Sequence, residues 1–376
     1  MAEISRQELI ALRLASQRLA PVPSMPSGPA DFKRVEQAVQ WMGAVQAQEY
    51  AHARWAVGSR FAAPAVTDAA IEDALARRKV VRSWVLRGTL HLAAATDLRW
   101  LLALAAPALL TRTAAAYREV NLDEAAFRKI LPALRQCLEG GQQLTRAELF
   151  AALARRRIDT EGQRGGRILY RAAQAGLICL GDPQGKQARY TLLDEWLPPQ
   201  PELPREDALK KLAQRYFASH GPATLADFTW WSGLAAGEAR AALEMAGPGL
   251  AHALFEGDTV WWSKRTPLIP VLAPPAGKPV LQLLAGFDEY VLGYTGRQAI
   301  IDAAHAGKLM TPNGLFRPAL LLGGRVAGTW QAEVKKGGLS ISTAPFTPLP
   351  RGSAGALRLA AQRYAAFMGL PLAQVR

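Results

Sequence analysis

The chain has 376 residues, 50 % of them hydrophobic and 20 % charged, a globular balance that excludes a low-complexity polymer and allows about two to three domains. Lys and Arg number 45 against 31 Asp and Glu, and the net charge of +14 points to a polyanion, most simply nucleic acid. Two cysteines, Cys137 and Cys179, and five scattered histidines exclude a disulfide framework and any zinc-type spacing.

Residues 5–19 read as a helix, with Leu9, Leu12, Leu14 and Leu19 near one face. The N-terminus has no apolar signal core, and the longest apolar run, 100–110, is too short to cross a bilayer and contains Pro107. A soluble, cytoplasmic, nucleoid-associated protein with no membrane contact is expected. Pro21, Pro23, Pro26, Gly28 and Pro29 form a linker, and Asp31 is the expected N-cap of a helix carrying Val35, Val39, Trp41 and Met42. Its continuation holds Gln46 and Gln48. Two amides in one apolar window need hydrogen-bond partners, which suggests a wet cavity or a ligand. Residues i and i+2 of a helix point about 200° apart, so for both to face one water the segment must end or bend near Gln48. The neighbouring Glu49 reads as a solvated helix-end acid.

Thr67 or Asp68 caps a helix through Leu75, and Val80-Val81-Arg82-Ser83-Trp84 and residues 86–92 form a small hairpin. The pattern returns with a capping box at Thr145 and Glu148, an Arg-rich helix over 165–175, and strands at 177–180 and 189–193. It returns again as helices over 205–219, 225–231 and 237–246 and a hairpin around Gly257-Asp258. Three tandem winged-helix units are therefore expected in an α+β chain: 1–120, 121–200 and 201–265. Residues 266–376 carry short strands at 280–284, 319–322, 325–330 and 339–342 and glycine turns at 323–324 and 337–338. A small closed β-domain with a terminal helix over 352–368 is expected there, since closure removes exposed edges.

Basic residues near the first hairpin (Arg77, Arg78, Lys79, Arg82, Arg87) and in the second unit (Arg155, Arg156, Arg157, Arg164, Arg167, Arg171) are candidate phosphate contacts. His91, beside Thr89, reads either as a hydrogen-bonded core histidine or as a DNA or active-site contact. Asp288-Glu289 has the look of a metal pair but no third ligand, so capping or packing is expected. No metal and no cofactor is expected.

Several blocks occur in one order: Trp41-Met42-Gly43-Ala44-Val45-Gln46-Ala47-Gln48-Glu49-Tyr50, Trp55-Ala56-Val57-Gly58, Arg82-Ser83-Trp84-Val85-Leu86-Arg87-Gly88-Thr89-Leu90-His91-Leu92, His220-Gly221-Pro222-Ala223-Thr224, Gly286-Phe287-Asp288-Glu289-Tyr290, and Gly328-Thr329-Trp330 with Lys335-Lys336-Gly337-Gly338. This set resembles the AlkZ family of bacterial DNA glycosylases, in its Gln-x-Gln branch, over nearly the whole chain. The resemblance implies three winged helices and a β-barrel forming a C-shaped clamp on double-stranded DNA. It implies excision of N-alkylated purines, including bulky adducts and interstrand crosslinks. Carried over, Gln46 and Gln48 are the catalytic pair, and Lys335 and Lys336 sit at the tip of a hairpin pressed against DNA. A cationic N7-alkylated base leaves readily, so a carboxamide that orients water suffices, and a monofunctional, monomeric enzyme is expected. The competing reading is a non-catalytic winged-helix regulator or damage sensor. A nuclease would need a carboxylate–metal cluster.

Overall fold

A capping box between Ser5 and Glu8 starts the first helix, Arg6–Ser16. The computed structural model describes residues 2–19, 32–61, 66–185, 187–266 and 279–376. The expected Pro-rich linker from Pro21 to Pro29 and the expected cap Asp31 lie outside the described residues. The next helix, Val35–Met42, stops at Gly43, whose φ is 78° and whose added Cβ would stand 3.1 Å from the Trp231 ring. The chain then runs extended into β1 (Val45–Gln46). The expected helical continuation through Gln46 and Gln48 is thus corrected. Helix formers on both sides mask the break, and Gly43 marks it.

Thr67 caps the helix Asp68–Ala76. Strands β2 (Val80–Trp84) and β3 (Leu90–Ala94) pair antiparallel around a 3-10 turn, Leu86–Gly88, and β1 adds to β3 with Gln46 opposite His91. The apolar run at 100–110 lies within a 24-residue helix, Ala95–Arg118, longer than the run suggested. By length and composition alone that helix could cross a membrane; here Leu98, Leu101, Leu104 and Leu109 are buried in the protein core. The second unit has the helix Glu124–Leu138, β4 (Leu144–Thr145), the Thr145-capped helix Arg146–Arg155, the helix Arg164–Gln174, β5 (Ile178–Leu180) and β6 (Arg189–Leu192). The first two hairpins are not separate. They form one six-stranded sheet, β1-β3-β2-β5-β6-β4, joined where Arg82 faces Leu180.

The third unit follows with the helices Arg205–Ser219, Leu225–Ser232 and Ala236–Ala246 and the hairpin of β7 (Leu250–Phe255) and β8 (Asp258–Ser263). The C-terminal region holds β9 (Leu281–Leu283), β10 (Ala319–Leu322), β11 (Arg325–Lys335), β12 (Gly338–Pro345) and β13 (Leu372–Val375). Their order is β13-β12-β11-β10-β9, so among the described residues the sheet is open, and the expected closure is corrected. The helix Ser353–Met368 packs Leu357, Ala361 and Phe367 against Leu281, Leu283 and Trp330, which covers the β9 side by other means than closure.

Two cores meet at the β1 segment. One gathers Ala44, Leu86, Leu101, Trp196, Tyr216, Phe228 and Trp231 from all three helical units. The other gathers Met42, Val45, Ala47, Val57 and Leu92 with Leu283, Trp330 and Ile341 of the C-terminal sheet. Asp288 and Arg60 form a fully buried two-pronged ion pair (2.9 and 3.1 Å) near this seam, and Asp288 also accepts from Tyr290 N–H. Cys137 and Cys179 are both free thiols.

Candidate active site

Along the β1 segment the chain is buried from Ala44 through Ala47 and emerges at Gln48. Val45 and Ala47 are sealed in the second core, whereas Gln46 is 7 % exposed and Gln48 is exposed. Ala47 N–H donates to Leu90 carbonyl at 2.7 Å and continues the ladder beyond Gln46. Gln48 lies just past β1 in a bend, so the helix that would have set the i and i+2 side chains about 200° apart is absent. Gln46 Oε1 accepts from Arg87 Nη2 (3.0 Å) and Thr89 Oγ1 (3.4 Å), and Gln48 Oε1 accepts from Leu90 N–H (3.3 Å). Both amides therefore lean on the start of β3.

Glu289 lies behind them, fully buried at the head of a short helix, Glu289–Leu292. Its Oε1 accepts from Gln46 N–H (3.0 Å) and its Oε2 from Trp231 Nε1–H (3.0 Å), with His220 Nε2 3.5 Å away. Burial alone would raise the carboxyl, but His220, Arg87 and His91 outweigh it and hold it well below the usual carboxylate range. The pair Asp288-Glu289 is thus capping and packing, as the missing third ligand suggested.

Arg82 and Arg87, expected as phosphate contacts, are engaged within this site and half-buried. Arg82 donates to the Ala47 carbonyl through Nε (3.0 Å) and Nη2 (2.8 Å) and to the Gln48 carbonyl (3.4 Å). Arg87 donates to the Trp231 carbonyl as well as to Gln46, and lies 4.7 Å over the Trp230 ring. Of the two readings of His91, the structure places it as the hydrogen-bonded core histidine and not as a DNA contact. It is wholly buried, with Nδ1 2.8 Å from the Thr89 carbonyl, because the β3 pleat turns it inward.

Burial, with Arg87 nearby, pushes the His91 pKa from 6.5 to about 4. An unfolded chain protonates this ring first as pH falls, so stability from its burial is full above pH 6.5 and is lost toward pH 4. The loss is about 3 kcal/mol by the lower end. His220, shifted the same way by burial, steepens it. Urea midpoints across this window are expected to fall, and His91→Asn is expected to flatten the slope. A slope that His91→Asn leaves unchanged would mean the ring is not buried neutral.

With the geometry in place, comparison with known proteins is informative. Residues 39–367 match the family described as DNA glycosylase AlkZ-like. The chain belongs to that family. The glycosylase is 26 % identical over 310 residues to the interstrand DNA cross-link repair glycosylase of Streptomyces sahachiroi, covering 76 % of this chain and 79 % of that one. It superposes on the solved structure of Streptomyces sahachiroi DNA glycosylase AlkZ with a TM-score of 0.78 and 26 % identity, over 100 % of this chain and 99 % of the other. It is a DNA-directed enzyme.

Other expected contacts of this glycosylase fall into two groups. Arg164 is engaged internally: it donates to the Val120 and Asn121 carbonyls and pairs with Asp159 (3.1 Å). Arg171 is likewise paired with Glu124 (3.1 Å). Arg167, on the same helix, has no ion pair among the described residues and is half-buried. Lys335 and Lys336 are exposed at the β11–β12 tip, with Lys335 3.0 Å from Glu333. Sequence reasoning missed Glu289, Trp230 and Trp231 as site residues. The available signal was an acid within an apolar stretch, Glu289-Tyr290-Val291-Leu292, since a carboxylate there must be paired.

Proposed function

We propose that this glycosylase hydrolyses the N-glycosidic bond of N7- and N3-alkylated purines in double-stranded DNA, leaving an abasic site without a covalent enzyme intermediate. The observation that carries this reading is the pair Gln46 and Gln48, held against the start of β3 by Arg87, Thr89 and Leu90. Alkylation makes the base a cation and a good leaving group, so little acid catalysis is needed. The reaction then needs water placed at C1′ and a polar surround for the sugar cation, which fixed amides supply. A carboxamide is no strong base, and undamaged purines are spared.

Bulky adducts and interstrand cross-links belong to the proposed substrate range, supported by the name of the Streptomyces sahachiroi relative. The helix-plus-hairpin units are read as winged helices that, with the C-terminal sheet, clamp the duplex. The net charge of +14 supports a polyanionic partner, and one chain in the cytoplasm is sufficient for the reaction.

Duplex carrying N7-methylguanine is expected to yield abasic sites, scored by strand scission after base treatment. Intact DNA binding with persistent absence of base release overturns the proposal. Lys335→Ala and Lys336→Ala are expected to weaken duplex binding alike for all sequences and to lower the salt slope by about 1 for each lysine removed. Salt titrations with an unchanged slope would remove the hairpin from the interface.

A further inference from the structure

The surroundings of the Gln46 carboxamide dictate which of its ends faces outward. Its oxygen meets Arg87 Nη2 at 3.0 Å and Thr89 Oγ1 at 3.4 Å. A guanidinium offers donors and no acceptor, so an amide turned the other way would set N–H against N–H. The single Thr89 hydroxyl hydrogen is shared with the Leu86 carbonyl, also at 3.4 Å, so Arg87 is the donor that fixes the oxygen. What remains is Nε2, which carries no hydrogen bond among the described residues.

We infer that Arg87 is a positioning residue that locks Gln46 as a hydrogen-bond donor, so that Gln46 offers N–H groups and not a carbonyl oxygen to the damaged nucleotide. The inference rests on the reading of Gln46 as a catalytic residue. Arg87 itself is fixed from several directions. Its backbone is left-handed (φ 55°, ψ 2°), a conformation that strains a non-glycine residue. Its Nη1 is held by the Trp231 carbonyl, its guanidinium lies on Trp230, and Gly233 leaves room for its stem, an added Cβ there standing 3.3 Å from Arg87 Cγ. A strained residue so constrained is built to aim. The groups that accept from Gln46 are then the nucleotide's own acceptors, its ring nitrogens and oxygens. Gln48, whose Oε1 takes a single N–H at 3.3 Å, keeps a lone pair for the attacking water.

The test uses the full chain on N7-methylguanine duplex under single-turnover conditions. Gln46→Glu removes the N–H groups but keeps the acceptor. Base release at neutral pH is expected to fall about 10- to 100-fold, because the carboxylate, paired with Arg87, offers no donor. An acceptor role instead keeps activity at neutral pH. Arg87→Met, which keeps the stem over Trp230, is expected to lower the single-turnover rate with duplex affinity unchanged, and Arg87→Lys to restore part of it. Wild-type rates in Gln46→Glu at neutral pH, or in Arg87→Met, overturn the inference. Wild-type protein that releases no base overturns instead the function on which it rests.

Discussion

Gln46→Ala is expected to lower single-turnover base release by about 10²- to 10³-fold, the usual loss when one preorganised polar group is removed from a reacting centre. The expectation follows from placement. Gln46 is 7 % exposed, its backbone N–H is tied to Glu289, and its side chain is tied to Arg87, so its free Nε2 starts close to its working position. Affinity for the duplex is expected to change less than about threefold, because phosphate contacts elsewhere position the DNA. Gln48→Ala is expected to act in the same direction, and the double variant to lose less than the product of the single losses, because groups serving one transition state are not additive. Rates are read on lesion duplex and affinity by titration. Wild-type rates in both single variants would move the reaction away from this segment.

Glu289→Ala is expected to cost about 3–5 kcal/mol of folding stability, since it breaks a buried charged cluster by removing one partner. Gln46 N–H and Trp231 Nε1–H would lose their acceptors, and Arg87 its nearby anion. Glu289→Gln keeps one of the two acceptor oxygens in the same shape and is expected to lose less. Urea unfolding measures both. A loss below about 1 kcal/mol in the alanine variant would show that the cluster is not held as described.

Elements with strong local signals were legible in the sequence. Ser83 and its neighbours in β2, the Thr145–Glu148 capping box, the helix Arg205–Ser219 and the hairpin β7–β8 all lie where period and capping place them. What escaped depends on distant partners. β13 exists through parallel pairing with β12, and Leu372–Val375 carries little pattern of its own. The 24-residue span of Ala95–Arg118 is hidden by Pro107 in its middle. The glutamine pair itself was legible, but its backbone was not. Trp41-Met42 and Ala44-Val45 favour a helix, and Gly43 is turned by the ring of Trp231, nearly 190 residues further on. Arg82, Arg87 and Arg164 illustrate the same limit. A guanidinium facing a phosphate and one facing a carbonyl look alike in sequence, and only the fold brings Ala47, Trp231 and Asn121 to them.

The sheet shared by the first two units has a mechanical consequence. With β2 and β5 paired at Arg82 and Leu180, the strand bearing Gln46 and the far edge at β4 belong to one sheet. Bending between β2 and β5 would break the Arg82–Leu180 pairing, which resists following a duplex whose path is altered by a lesion. Misfit along that stretch falls on the nucleic acid, and helices that bend easily at the damaged step are accommodated at the least elastic expense.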